Sequence, residues 1–312
     1  MSKGKDMTIK IITVEPPTTG FALVLHGGAG GQVEELSEAE RGNYSAGLAD
    51  AFRAGENVLA TGGSALDAVC ASVVSLENNP LFNAGFGAAL TATGEAELDA
   101  AVMTGEGHAG AIAVSRHAKN PIQAARKVLE DTEHVLLVAP KRDLLESWGL
   151  ETVNPEYFVT EVRQSQLANV QSELFAASRH GTVGAVAIDS RGQVAAATST
   201  GGMVNQSDGR VGDTPIIGAG TYARNGVVAV SCTGEGESFI EGVISHEISA
   251  RMRYLNVGIA DAISGTITEE LDSRGANGGI IAVDAEGRIC IAYNSDAMFA
   301  AYRENGQVVT LA

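Results

Sequence analysis

The chain has 312 residues, 45% hydrophobic and 19% charged, the balance of a soluble globular protein able to bury a sizeable core. Its 21 Lys and Arg against 38 Asp and Glu leave a formal charge of −17, which argues against a nucleic-acid partner because a phosphate backbone needs a basic face. Cys70, Cys232 and Cys290 are scattered without a CxxC pair, so neither a disulfide framework nor a zinc site is expected; no apolar run spans a membrane and no signal-peptide core follows the start, so a cytoplasmic protein is expected.

Residues 21–25 are apolar and end in His26-Gly27-Gly28-Ala29-Gly30-Gly31, the pattern of a buried strand feeding a glycine turn. Two helices are expected next. Ser37 with Glu40, and Ser64 with Asp67, have capping-box spacing. After Ser64, the residues Leu66, Val69, Cys70, Val73 and Val74 recur at helical spacing, so one face is buried. Asn79-Pro80 stops this helix and residues 83–87 form a loop. Residues 109–114 and 134–139 read as strands, with Asn120-Pro121 starting a helix between them. Residues 154–180 are polar and poor in glycine. Their first part reads as a surface helix or strand end, and from Gln164 to about residue 181 as a mobile linker. Leu167, Val170 and Leu174 keep a partial apolar stripe that an ordinary connecting helix would also show.

The second half contains an internal echo. Residues 184–189 and 193–199 flank Ser190-Arg191-Gly192, and residues 279–284 and 288–294 flank Ala285-Glu286-Gly287, so each set reads as a hairpin. The strands are nearly continuous Ala, Val and Ile and should be covered on both faces. Residues 238–254 and 259–271 look helical. Strand pairs packed face to face between helices make an α+β fold, a four-layer αββα sandwich, in one domain spanning residues 1–312.

A threonine opening a buried strand, as in His180-Gly181-Thr182-Val183, is by itself an ordinary β-former. Its neighbours carry more. Thr198-Ser199-Thr200 ends the next strand, Arg210 and Asp213 follow within a glycine-rich stretch, and Cys232-Thr233-Gly234-Glu235-Gly236 ends another strand. Hydroxyls, a cation, an anion and glycine amides at strand ends are the parts of an amide hydrolase. A threonine hydroxyl needs a base beside it. A chain break before Thr182 would supply one, since a free α-amine has a pKa near ~8.

With those residues in place, the sequence resembles the plant-type asparaginase/isoaspartyl peptidase family of N-terminal-nucleophile hydrolases. Matching stretches run from His26-Gly27-Gly28-Ala29-Gly30 through Pro80-Leu81-Phe82-Asn83-Ala84-Gly85, Leu98-Asp99-Ala100 and Gly181-Thr182-Val183-Gly184-Ala185-Val186 to the Thr233 segment. The resemblance implies the N-terminal-nucleophile type of αββα sandwich and autocleavage between Gly181 and Thr182 into subunits 1–181 and 182–312. It implies Thr182 as nucleophile, Thr200 orienting it, and Thr233 with the Gly234 amide as oxyanion hole. Arg210 would grip the substrate α-carboxylate, and Asp213, with the Gly236 carbonyl, the α-ammonium. Without the resemblance, Arg210 and Asp213 read as a surface ion pair. Asn83 would sit near the site in a loop whose carbonyls from Leu76, Glu77, Asn79, Phe82, Ala84 and Phe86 wrap a structural sodium ion. No cofactor is implied for catalysis. The expected substrate is a β-aspartyl dipeptide or L-asparagine, and the expected assembly a homodimer of cleaved αβ units.

Three alternatives stay open. A glycosylasparaginase would prefer an acidic residue before the threonine, where this chain has Gly181. An amino-acid kinase built on the early glycine turn lacks a lysine-bearing phosphate motif. A non-catalytic binding protein would not split in two. Within the first reading, Glu235, between Gly234 and Gly236, together with Asp208 and the charge of −17, would favour β-aspartyl-arginine or β-aspartyl-lysine.

Overall fold

The computed structural model describes residues 8–30, 36–172 and 181–312. Strands β1 (Lys10–Val14) and β2 (Ala22–Ala29) precede two helices whose starts are fixed by their caps. At α1 (Glu38–Ala60) the Ser37 hydroxyl accepts the Glu40 amide and the Glu40 carboxylate accepts the Ser37 amide, completing the capping box. At α2 (Ala65–Glu77) the Ser64 hydroxyl accepts the Asp67 amide at 3.0 Å but donates to the Asp67 carboxylate at 2.6 Å, so half of the expected box forms. The α2 stripe of Val69, Cys70, Val73 and Leu76 is buried as its spacing requires.

Next come β3 (Leu98–Thr104), β4 (Ala109–Ser115), α3 (Pro121–Asp131), β5 (Leu136–Val138), α4 (Arg142–Ser147) and α5 (Glu161–Gln171). The β3–β4 pairing is irregular opposite Asp99, where Val114 takes a φ of 56°. α5 corrects the linker expectation over its first eight residues. Thr160 caps the helix through the Arg163 amide, and Leu167 packs with Leu90, Leu98 and Phe158. The apolar stripe was therefore the better guide than the lack of glycine. The rest of the expected linker, at 173–180, lies outside the described residues.

β6 (Val183–Ile188) and β7 (Val194–Thr200) form the first expected hairpin. Its turn closes on Asp189, whose Oδ1 accepts the amides of Arg191 and Gln193, with Gly192 at φ 76°. Strands β8 (Thr221–Arg224) and β9 (Val228–Gly234) follow. The helical stretch expected at 238–254 is two helices, α6 (Gly236–Glu241) and α7 (Ile244–Tyr254), broken at Val243, which is left-handed at φ 48°. α8 (Ile259–Thr266) runs into a π-helical turn (Ile267–Leu271). β10 (Gly278–Asp284) and β11 (Ile289–Tyr293) make the second hairpin, closed by Asp284 as the first is by Asp189. β12 (Met298–Glu304) and β13 (Gln307–Leu311) end the chain.

The strands make two sheets, an α+β arrangement. One has the order β1-β11-β10-β9-β8 and the other β13-β12-β2-β6-β7-β3-β4-β5; among the described strands only the β4–β5 ladder is parallel. Alternate residues of β6 belong to different cores. Ala185 and Ala187 join Phe52, Val69, Val73 and Ile122 from α1, α2 and α3. Val186 and Ile188 join Ile281, Val283 and Ile291 from the five-stranded sheet. A third core sets Val230, Ile280 and Cys290 of that sheet against Phe239, Ile248 and Ile263 of α6, α7 and α8. The strands of the two hairpins, β6, β7, β10 and β11, are thus covered on both faces, as their unbroken apolar runs demand. Among the described residues no helix is long and apolar enough to cross a membrane, and no three His, Cys, Asp or Glu side chains form a metal cluster.

Candidate active site

Thr182 stands just before β6, and its hydroxyl donates to the Thr200 hydroxyl at the end of β7 at 3.0 Å. Thr200 Oγ1 also accepts the Gly202 amide at 3.0 Å, so its orientation is fixed from behind. The residue before Thr182 has no room for a side chain. A Cβ on Gly181 would lie 2.6 Å from Asn83 Cβ, and one on Gly28 would lie 2.8 Å from the Gly181 Cα. Asn83 ties this wall together: its Nδ2 donates to the Gly202 carbonyl at 2.7 Å and its Oδ1 accepts the Ala89 amide at 2.6 Å.

Register brings the remaining residues to the same edge. His26 pairs with Gly184 across β2 and β6, and Ala29 at the end of β2 lies against Gly279, the register partner of Thr233. The ends of β2, β7 and β9 and the start of β6 therefore meet. Thr200 pairs with Asp99, whose carboxylate accepts the amides of Val114 and Gly212, which draws the loop carrying Arg210 and Asp213 to that edge. Behind Thr182, His26 Nε2 is 2.8 Å from Ser231 Oγ, which is 2.8 Å from Thr198 Oγ1, to which Thr221 donates at 2.7 Å. Burial pushes His26 down to about 3, partly opposed by the main chain of Thr182. Gly184 leaves the space for this chain, since a Cβ there would lie 2.6 Å from His26 Nε2.

Thr233 Oγ1 and Asp213 Oδ2 are among the buried polar atoms that lack hydrogen-bond partners among the described residues. Leaving such groups unpaired costs ~1–3 kcal/mol each, which a ligand bearing a matching group recovers. Gly234 follows Thr233 at φ 151°, and a Cβ there would lie 2.6 Å from the Asn277 carbonyl. Arg210 and Asp213 are not the surface pair that spacing alone describes. The Arg210 side chain is 15% exposed and Asp213 is 4% exposed. A Cβ on Gly236 would lie 2.8 Å from Arg210 Nη2 and 3.0 Å from Asp213 Oδ1, so the three converge. Burial pushes Asp213 up to about 7 against the opposing pull of Arg210, and burial does the same to Asp99.

Sequence reasoning missed what holds Arg210. Its Nε and Nη2 donate to the two carboxylate oxygens of Glu237 at 3.0 Å each, and its Nη1 lies 3.4 Å from Gln206 Oε1. No motif marks Glu237, 27 residues away. Glu235 accepts the Asn277 amide at 3.2 Å and Asn277 Nδ2 at 3.4 Å, and Asp208 accepts the Thr93 hydroxyl. Both expected specificity carboxylates thus have protein partners. In the loop after α2, the carbonyls of Glu77, Pro80 and Phe82 crowd Gly85 and Gly87: a Cβ on Gly85 would lie 2.5 Å from Glu77 O, and one on Gly87 2.6 Å from Pro80 O. The carbonyls of Leu76, Asn79, Phe82 and Ala84 each already accept one amide, with a lone pair to spare.

A pair of hydrogen-bonded threonines beside an orphaned hydroxyl, an orphaned carboxylate oxygen and a guanidinium can hold an amino-acid end group and present an amide to a hydroxyl. A family model described as Asparaginase matches residues 19–312. An isoaspartyl peptidase of Salmonella typhimurium is 42% identical over 302 residues, covering 92% of this chain and 96% of its own. An isoaspartyl peptidase of Escherichia coli is 41% identical, covering 92% and 94%. A probable isoaspartyl peptidase/L-asparaginase 2 of Arabidopsis thaliana is 36% identical, covering 90% and 94%. The chain belongs to this asparaginase family.

Proposed function

We propose that the chain is a self-cleaving threonine hydrolase of β-aspartyl (isoaspartyl) dipeptides and of L-asparagine, releasing aspartate. The observation that carries this reading is the pair of orphaned buried atoms, Thr233 Oγ1 and Asp213 Oδ2, beside the Thr182–Thr200 hydrogen bond. Scission of the Gly181–Thr182 bond gives Thr182 a free α-amine, which takes the proton of its own hydroxyl as that oxygen attacks the substrate's side-chain amide carbonyl. The oxyanion meets Thr233 Oγ1 and the Gly234 amide, where one donor is worth ~3 kcal/mol of barrier. The leaving amine receives the proton, and water then releases aspartate from the threonine ester. Arg210 grips the α-carboxylate; Asp213 and the Gly236 carbonyl hold the α-ammonium. The names of the relatives favour this activity over that of a glycosylasparaginase.

The three cores described above support a helix–sheet–sheet–helix order, the four-layer αββα sandwich of N-terminal-nucleophile hydrolases, built as one domain from subunits 1–181 and 182–312. An all-oxygen set with spare lone pairs suits a hard monovalent cation, so the loop carbonyls of Leu76, Glu77, Asn79, Phe82, Ala84 and Phe86 would hold sodium and stiffen the wall bearing Asn83. The assembly proposed is a cytoplasmic homodimer of cleaved units. Because Glu235 is engaged by Asn277, any preference for β-aspartyl-arginine or β-aspartyl-lysine would draw on the summed charge of −17.

A denaturing gel with mass spectrometry tests the core of the reading. Purified protein should give two fragments, the smaller beginning at Thr182. Thr182→Ala should remain one chain, inactive on L-asparagine; normal splitting of that variant removes Thr182 from the nucleophile role.

A further inference from the structure

We infer that Glu237 is a positioning residue that fixes the roll of the Arg210 guanidinium and so sets the affinity for the substrate's α-carboxylate. This rests on Arg210 being the carboxylate-binding residue. A guanidinium offers two forked edges, Nε with Nη2 and Nη1 with Nη2. Glu237 takes the first edge whole, with both contacts at 3.0 Å. The second edge lies beside two glycines, with only a long contact of 3.4 Å from Nη1 to Gln206 Oε1: a Cβ on Gly212 would lie 2.9 Å from Nη1, and one on Gly236 2.8 Å from Nη2 and 3.0 Å from Asp213 Oδ1. That edge therefore lies on the side of the residue proposed to take the α-ammonium.

Exposure gives the contact its direction. Glu237 is 59% exposed at the side chain and Arg210 15%, so the carboxylate braces the cation from the rim while the remaining edge lies inward. The brace is itself anchored. Glu237 sits in the first turn of α6, and the preceding Glu235 donates its amide to the Asn277 carbonyl at 3.1 Å and accepts the Asn277 amide with its side chain.

The rival geometry makes Glu237 a stand-in that occupies the fork until substrate displaces it. The two differ in sign. Removing a stand-in frees Arg210 and removes a repelling charge, so KM falls. Removing a brace lets the guanidinium turn, so KM rises.

The test compares cleaved wild type, Glu237→Gln and Arg210→Lys on L-asparagine and β-aspartyl-leucine, with thermal unfolding as the control for folding. Glu237→Gln should raise KM about tenfold, the loss of one charge-assisted hydrogen bond, with kcat within about twofold and an unchanged unfolding midpoint. Arg210→Lys, which keeps charge but loses the fork, should raise KM further. If Arg210→Lys raises KM while Glu237→Gln leaves it unchanged or lowers it, the fork stands and the brace is overturned. A fall confined to kcat in Glu237→Gln overturns it equally. If Arg210→Lys alters nothing, fork and brace fall together.

Discussion

Asp213 is under two opposed influences. Burial drives its carboxyl up to about 7, and Arg210 only partly offsets this, while Asp99 and Glu237 add repulsion. Holding an α-ammonium requires the ionised form, so ligand binding should expel a proton from a carboxyl that is largely protonated below pH 7. The sign is fixed: a group with a raised pKa in the free site gives up its proton when a cation arrives. Calorimetry of L-aspartate binding in buffers of different ionisation enthalpy should find close to one proton released at pH 6 and close to none at pH 8. No linkage across that range would mean Asp213 is ionised throughout. Asp99 and Asp213 interact, so the release belongs to the pair. Thr182, Thr200, Arg210 and Asp213 were singled out in the sequence only through the family resemblance, since spacing alone reads Thr182 as an ordinary β-former and Arg210 with Asp213 as a surface ion pair. Glu237 and Ser231 were not, since their weight comes only from partners 27 and 205 residues away.

At the scale of elements, the hairpins were readable because Asp189 and Asp284 close their turns with bonds two and four residues on, a local device. The break between α6 and α7 was not, because the apolar spacing runs through it. Val243 there is left-handed at φ 48° and 47% exposed, with no side-chain cap for α7. A β-branched residue in that region carries ~1–2 kcal/mol of strain. Val243→Gly should relieve it at little loss of burial, raising stability by about 1 kcal/mol with kcat/KM unchanged, as read by urea unfolding and assay. A less stable variant would mean that the Val243 contacts outweigh the strain. The terminal pair β12 and β13 went unread for the opposite reason: it lacks the Asp-x-x-Gly signature of the two hairpins, and its turn is set by Asn305 and Gly306, both at positive φ.

At the scale of the whole molecule, what joins the two sheets was the least legible feature. The nearly continuous apolar runs of the hairpin strands foretold that both their faces are covered, but not that a polar chain crosses between the sheets. His26 belongs to the eight-stranded sheet and Ser231 to the five-stranded one, and their contact at 2.8 Å is fully buried. Global stability should register this. The unfolded imidazole titrates near 6.5 and the folded one near 3, so at pH 7 the folded form is neutral, the unfolded form mostly so, and His26 contributes little pH dependence. Below 6.5 the unfolded chain takes up a proton that the folded chain refuses. Stability is then lost as pH falls, by ~1.4 kcal/mol per unit, or about 2 kcal/mol by pH 5, and the loss levels off near pH 3. Other titrating groups obscure this in the wild type alone, so the measurement is a difference. Thr182→Ala, expected to remain a single chain, supplies a background in which each protomer unfolds as one chain, compared at a fixed protein concentration. Adding His26→Gln keeps a hydrogen-bonding nitrogen for Ser231 without a titrating ring. The variant should be the less stable at pH 7, and the gap should narrow by about 2 kcal/mol between pH 7 and pH 5 in urea titrations. A constant gap would mean that His26 accepts its proton in the folded state, and that the join between the sheets tolerates a buried charge.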